Sequence, residues 1–588
     1  MERLLKVLLF LFPILPFINL WPYQPYPSWI SEATALMMGC LFVGLSFFTP
    51  NMRKEVSWNI CTPFFMILAL IITVSVAVKD LPFYTMAIRI LSGLVIAALF
   101  SMAIASRENK KETLIILAWG VFAGALLQSV FVILQVSEVI DLYIAWVNQQ
   151  YFWLPHFPVY AYPTGLIMQR NLLATYMCVA LMTSLYLVVE KRLSLWLFYP
   201  LLLLCSFAIV SSSSRTSLLY LAGILFLSFF ISGKKPQLKK FKWNMVAFVL
   251  TTFLMMPIYS HLSPKLESAY DKIQSNSDSH GLGYRWQLWG QGLTIFESNP
   301  ILGVSPGYLL GASLEHPIEA QQSKIFTHAH NIFVHILAEY GIFAFLLFCF
   351  LIFRIGWHFF VNREDVPQWL VLFVCVAFFV HSQLEYPLWY ASFLYFFLIF
   401  LSLVLPTKSR APIKITPYVT ALIAVGVFAG TAKSVWDYSS MAEIAVLRQM
   451  KTDNPNDKVV LTRLSTDPIF SVKASMLLMS QGHLDSTDKN LSEKLDLSSR
   501  LIRYRPTAYN LFRHAVHLSL DNRKEDTEQA LAHAHYMEPS SIGSMASWFN
   551  ELPKDPRFIV IREWLIKKHA EERQKKLKKK QGIKQPSS

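Results

Sequence analysis

The sequence is poor in charge and poor in cysteine. Only 15% of its 588 residues are Asp, Glu, Lys or Arg, whereas 54% are hydrophobic. That balance excludes an ordinary water-soluble protein of several domains and makes the bilayer the solvent for most of the chain. The six cysteines, Cys40, Cys61, Cys178, Cys205, Cys349 and Cys375, all fall inside apolar runs, a placement that indicates neither a disulfide framework nor a zinc site. No small-residue cleavage site follows the first apolar run, which starts at Leu4 and contains Pro13 and Pro16. It therefore reads as a first span rather than a cleaved signal peptide.

What the sequence does have is a succession of apolar runs of about 17 to 24 residues between Leu4 and Gly430, each near the roughly 20 residues that cross a hydrocarbon core. Spans are expected to start near residues 4, 30, 60, 84, 113, 172, 194, 216, 243, 331, 367, 389 and 415, which makes thirteen crossings. The fold class is all-α: a polytopic transmembrane helix bundle of about 12–13 spans with a C-terminal soluble helical domain. Residues 1–260 form the N-terminal transmembrane helices, 261–330 a large external loop, 331–432 the C-terminal transmembrane helices, and 433–588 the soluble domain. Within that domain, Leu501 to Ser541 reads as two amphipathic helices joined by a polar turn and ended by Pro539, like one tetratricopeptide-type unit.

The net charge of +15 follows topology rather than nucleic-acid binding. Arg53 and Lys54, Arg107 to Lys111, Lys191 and Arg192, Lys234 to Lys242, Arg354 and Arg363, and Lys408 to Lys414 fall on one side when the spans are counted in order. The positive-inside rule makes that side cytoplasmic. The basic tail, Lys575 to Lys584, reads as a solvated or headgroup-touching end. Two long segments, Ser137 to Arg170 and His261 to His330, then lie outside, where long loops tend to carry function.

The costly polar groups gather on that same external side. They are Gln169, Arg170 and Asn171 at the start of one span, Ser211 to Arg215 in a tight turn, Arg285 in the second long loop, Thr327 to Asn331 at the next helix start, and Glu385 and Tyr386 at a span end. Singly each has an ordinary explanation: arginines snorkel, Gln169 and Asn171 cap a helix, and Tyr386 belongs to an aromatic belt. Arg89, about two turns inside a span, either snorkels or reaches a phosphate. His328 and His335 read as structural, and His381 and Glu385, at i and i+4, as a coupled pair.

Together they suit one chemistry. The guanidinium groups of Arg215 and Arg285 can hold a diphosphate at the membrane surface. His330, at a helix start, can accept a proton from a hydroxyl nucleophile that attacks an anomeric carbon while the lipid diphosphate departs. With no acidic or cysteine ligands near the HAH motif, no metal is expected.

The segment RWQLWGQGLTIFESNPILGVSPGYL, followed by THAHNIFVHILAEYGI, resembles the bacterial O-antigen ligase and polymerase superfamily. Within it, QRNLLATYMC and HSQLEYPLWYASFLYFFLIF are most similar to PglL-type O-linked oligosaccharyltransferases, and the likeness spans roughly Gln169 to Leu403. The resemblance implies transfer of a preassembled oligosaccharide from undecaprenyl diphosphate to Ser or Thr of periplasmic proteins such as pilins, in the bacterial inner membrane. It implies His330 as the catalytic base, Arg215 and Arg285 on the diphosphate, Gln169 and Tyr386 positioning the donor, and no metal or cofactor. Arg170, Arg89 and Glu385 complete the expected substrate-binding set. Two other readings share parts of this evidence: a ligase or polymerase with a glycan acceptor, and a flippase or transporter of lipid-linked sugars. Transport favours ionisable groups near mid-bilayer in repeated halves, a pattern this sequence does not show.

Overall fold

A computed structural model describes residues 1–19, 28–140, 162–232, 234–262, 282–317, 327–411, 416–449, 455–480 and 487–580. Each of the thirteen apolar runs contains a helix. These are α1 (Glu2–Leu11), α2 (Trp29–Phe47), α3 (Cys61–Val78), α4 (Thr85–Ala105), α5 (Lys110–Val136), α6 (Arg170–Val189), α7 (Leu195–Ser211), α8 (Arg215–Ser228) and α9 (Pro236–Leu262). After α10 (Leu282–Ser298) and α11 (Leu309–Glu315) follow α12 (Ile332–Val361), α13 (Val366–Ser382), α14 (Ala391–Val404) and α15 (Thr416–Gln449). Eight of them, α2 to α6, α9, α12 and α15, are long and apolar enough to cross a membrane. The other four after α1 have 14 to 17 residues. The first run is shorter than expected: α1 has 10 residues, and Pro13 and Pro16, which lack an N–H, turn the chain into a 3-10 turn at Leu15–Phe17.

Leu70, Phe226, Leu254, Phe353 and Leu422 stay exposed, the surface a lipid-facing bundle requires. At the centre lies α6, whose apolar window is wholly buried and which packs on α5, α7, α9 and α13. The basic loops meet at one end, as counted from the sequence. Val56–Trp58 pairs antiparallel with Lys408–Arg410, and Lys6–Glu112, Arg107–Glu2, Lys111–Glu190 and Lys235–Asp365 form ion pairs there. Lys414 and the last residues of the basic tail lie outside the described residues.

Helix α12 is broken near its start. Gly341 has φ 76° and ψ −172°, and the chain at 299–305 packs into the break: Val304 N–H donates to the Ala338 carbonyl (2.8 Å), Ser305 N–H to the Glu339 carbonyl (3.0 Å) and Ile342 N–H to the Pro300 carbonyl (2.9 Å). The span expected from residue 331 therefore begins with a short separate helical segment, Ile332 to Tyr340, bent against the large loop.

The division drawn at 432 falls inside α15, one 34-residue helix. It leads into α16 (Pro455–Ser465), α17 (Ser471–Ser480), α18 (Leu491–Tyr504), α19 (Ala508–Leu520), α20 (Lys524–Met537), α21 (Ile542–Asn550) and α22 (Ile559–Lys580). The expected two-helix unit is α19 and α20, joined at Asp521 to Arg523, with Pro539 opening a 3-10 turn. Leu501 to Tyr504 belong to the preceding helix, which Pro506 terminates.

Candidate active site

The site end of the bundle is fixed by α6 and α13. Thr175 Oγ1 lies 2.8 Å from His381 Nδ1, and Asn171 Nδ2 donates to Glu385 Oε1 at 3.1 Å. The start of α6 therefore meets the end of α13. Helix α7 returns antiparallel to α6 after the short turn at 190–194, so Ser211 to Ser214 and Arg215, the first residue of α8, reach the same end. Gln169 caps α6, its Oε1 accepting from Leu172 N–H. Arg170 stacks its guanidinium over Tyr162 at 5.2 Å.

His330 sits just before α12. Asn331 caps that helix, its Oδ1 accepting from Phe333 N–H (3.0 Å) and Val334 N–H (3.2 Å). The backbone of His330 is left-handed, φ 49°, and its N–H donates to His328 Nδ1 at 2.8 Å. His330 Nδ1 donates to the Leu384 carbonyl at 3.1 Å, with Glu385 Oε2 at 3.9 Å. The ring is 31% exposed, and its Nε2 is left as the proton-accepting nitrogen.

Glu385 gathers charge around that ring. Burial raises its pKa, opposed by the neighbouring His330, by the charges of Arg285 and Arg170 and by the Asn171 hydrogen bond. Arg285 is carried by α10, which approaches α12 closely where Gly292 meets Val334. His330, Glu385, Arg285, Arg170 and Asn171 thus form one polar cluster.

A second group faces a cavity of about 940 Å³. Its polar end includes Glu32, Arg89, His328, Tyr386 and Tyr390, while Phe65, Leu68, Phe348, Leu351 and Leu401 line the rest. The lining follows α12 from Ile336 to Phe359, roughly 35 Å at about 1.5 Å per residue, comparable to a hydrocarbon core. Arg89 is the fifth residue of α4, nearer the helix end than expected, and its guanidinium lies 4.7 Å over the Trp29 ring. Glu32 beside it accepts from Ala391 N–H at 2.6 Å and from Ser392 Oγ at 3.4 Å, capping α14. Tyr386 borders both groups, its ring 6.1 Å from His330 and 4.7 Å from His328. Gln169, Arg170, Arg215, Arg285, His330 and Glu385 are not on the cavity wall.

The support beneath His330 uses His328 and His335, which the sequence marked as structural, and Glu339, which it did not single out. His335 and Glu339 are both buried, with Nε2 and Oε2 3.2 Å apart. The Glu339 Oε1 atom accepts from Gly307 N–H (3.0 Å) and Leu309 N–H (3.4 Å). His328 stacks on His335 at 4.3 Å, and burial, with the neighbouring His335 and His330, pushes its pKa well below the ordinary histidine value. It is therefore neutral and free to accept the His330 N–H. The i, i+4 spacing was a usable signal, but it pointed to His381 and Glu385. Helix α13 ends at Ser382, so Glu385 leaves the helical face and His381 turns to Thr175. Among the described residues no group of three His, Cys, Asp or Glu side chains is arranged to hold a metal ion.

Residues 200–349 match the family described as O-Antigen ligase, and residues 369–542 one described as "Virulence factor membrane-bound polymerase, C-terminal". A general O-oligosaccharyltransferase of Acinetobacter baylyi is 22% identical over 453 residues, covering 73% of this chain and 74% of that protein. A ComP-specific O-oligosaccharyltransferase of the same organism is 25% identical over 234 residues, 38% of this chain and 41% of its own length. By both family matches and both relatives, the chain is similar to the O-antigen ligase superfamily and, within it, to the O-linked oligosaccharyltransferases.

Proposed function

We propose that this glycosyltransferase moves a preassembled oligosaccharide from undecaprenyl diphosphate to Ser or Thr hydroxyls of periplasmic proteins such as pilins, at the outer face of the bacterial inner membrane. The observation that carries the reading is His330, a partly exposed ring whose Nδ1 is engaged by Leu384 and whose Nε2 is available. In the proposed step Nε2 takes the proton of the acceptor hydroxyl as its oxygen bonds to the anomeric carbon. The bond from that carbon to the diphosphate breaks, and the electron pair leaves with the diphosphate. Glu385 and the Leu384 carbonyl then face the imidazolium that has formed.

Arg285 and Arg215, at the site end, supply positive charge for the departing diphosphate, together with the start of α6. Arg89 and Tyr386 meet the donor from the cavity side, and the apolar length of the cavity suits a polyprenyl chain. Gln169 acts through the cap it makes on α6. Guanidinium groups and a histidine base provide both charge stabilisation and nucleophile activation, so the reading requires no metal or other cofactor.

The test uses protein in detergent, a lipid diphosphate-linked oligosaccharide and a pilin-like acceptor, with EDTA present. Wild type is expected to glycosylate the acceptor, and His330→Ala to lose at least about a hundredfold in rate, the usual range for a missing general base. Equal rates for the two proteins would remove His330 from the chemistry. A second reading, transfer to a glycan acceptor, is favoured by the ligase and polymerase descriptions of the matched families. Extension of a glycan acceptor without protein glycosylation would select it.

A further inference from the structure

We propose that the C-terminal domain closes the polar end of the donor cavity and supplies Arg505 to it as a binding group for the diphosphate of the polyprenyl donor; the assignment rests on the donor reading given above.

The residues that complete the cavity wall come from beyond the bundle. Pro468, Ile469, Tyr504 and Arg505 line it together with Arg89, His328 and Tyr386. Arg505 follows α18, whose C-terminal turn is fastened to the membrane-spanning part. Arg503 Nη1 is 3.2 Å from Asp80 Oδ2 and its Nη2 donates to the Asp80 carbonyl at 2.8 Å. The Tyr504 ring packs edge-on against Tyr308 at 4.9 Å and Phe83 at 5.8 Å. Tyr308 Oη in turn donates to the Phe83 carbonyl at 2.8 Å and accepts from Phe83 N–H at 2.9 Å. Gly311 lies so close to the Arg503 carbonyl that any side chain there would collide with it, and a side chain at Gly307 would meet the Tyr504 hydroxyl. Arg505 is therefore held against the cavity by backbone and ring contacts rather than hanging from a loose domain.

Its charge is available. Among the described residues no ion pair engages the Arg505 guanidinium, and its Nε is buried without a hydrogen-bond partner, an arrangement that is unfavourable unless something binds there. Lys473, on α17, stands near enough for the Arg505 charge to add to burial in lowering its pKa to about 8. Arg89 and Arg505 are like charges on one cavity wall, an arrangement unfavourable on its own and favourable around a multiply charged anion. The carboxylates on this wall, Glu32 and Glu339, are engaged by backbone N–H groups of α14 and of the 307–309 segment. A diphosphate, with an apolar tail that continues down the cavity, matches both the cations and the apolar walls.

The experiment measures binding of undecaprenyl diphosphate to the full-length protein in detergent, alongside transfer kinetics with the complete donor. Arg505→Ala is expected to weaken undecaprenyl diphosphate binding and raise the donor KM about tenfold or more, with the acceptor KM unchanged. Arg505→Lys should recover part of the loss. The same variant should bind undecaprenol, which has the tail without the charge, as wild type does, which separates a lost phosphate contact from a collapsed cavity. Unchanged affinity for undecaprenyl diphosphate in Arg505→Ala, while wild type binds and transfers, overturns this assignment alone. Absence of binding and transfer in the wild type overturns the functional reading itself.

Discussion

His330 takes its chemical identity from two neighbours that are remote in sequence or placed by a turn. The Leu384 carbonyl, 3.1 Å away, fixes the proton on Nδ1. The neutral His328 ring holds the His330 backbone in its left-handed turn, a conformation that costs a β-carbon-bearing residue on the order of 1 kcal/mol and persists only when its surroundings enforce it. Beneath both lies Glu339, buried and shared between two backbone donors and His335. Glu339→Ala strands those donors at about 1–3 kcal/mol each. The variant is expected to show a lower thermal midpoint in detergent and, because the His330 turn loses its footing, a transfer rate reduced by roughly ten- to a hundredfold. Glu339→Gln, which keeps one acceptor oxygen, should fall between the two. A variant with wild-type midpoint and rate would show that the carboxylate supports nothing.

At the scale of elements, the break in α12 determines where the site sits. Gly341 adopts a φ of 76° and presses on the Ile301 carbonyl, while Gly303 presses on the Glu339 backbone from the other side. No side chain fits at either contact, so Gly341→Ala forces the 299–305 segment out of the break. The expected result is destabilisation by more than the roughly 1 kcal/mol of an ordinary glycine exchange, read as a lowered thermal midpoint together with faster hydrogen exchange in 299–309. Unaltered exchange there would mean the break tolerates a side chain.

The helices of the C-terminal domain carry a different liability. His514 and His517 share the Ser498 hydroxyl at 2.8 and 3.2 Å. Burial, reinforced by Arg523 for the first and by Arg513, His514 and Lys494 for the second, lowers their pKa values to about 4 and about 3, with Asp526 opposing at His514. The unfolded chain binds protons near 6.5, where the folded domain refuses them. The stability contributed by the neutral rings is therefore complete above that value and declines as pH falls from it towards the folded values. Amides of α18 and α19 in the full-length protein should lose protection between pH 7.5 and 5, after correction for intrinsic exchange, and lose less of it in His514→Gln. Protection that is indifferent to pH would contradict the assignment.

For the whole molecule, the polar end of the cavity, the polar cluster and the C-terminal domain lie at one end, and the paired basic loops at the other. The charge rule assigns the basic end to the cytoplasm. In a protein with its native cysteines replaced, a cysteine at Asn522 should react with a membrane-impermeant maleimide in spheroplasts. One at Ser409 should react only after lysis. The reverse pattern would invert the orientation proposed here, and with it the side on which acceptor proteins are met.

The sequence by itself determined the membrane class, the thirteen helical runs, the common side of the basic loops and the α19–α20 pair, because length, hydropathy and turn chemistry are local properties that each segment carries alone. It also brought out His330, Glu385, Arg285 and Arg170, since polar residues at the edge of apolar runs stand out without any knowledge of contacts. Only the tertiary structure decided which of them meet. It set Arg89 and Tyr386 on a cavity whose wall excludes Arg215 and Arg285, turned His381 to Thr175, paired His335 with Glu339, and brought Arg505 from far along the chain to the same cavity. Those outcomes depend on how helices terminate, break and pack against segments hundreds of residues away, and the same polar side chain reads identically in sequence whether it caps a helix, braces a turn or waits for a substrate.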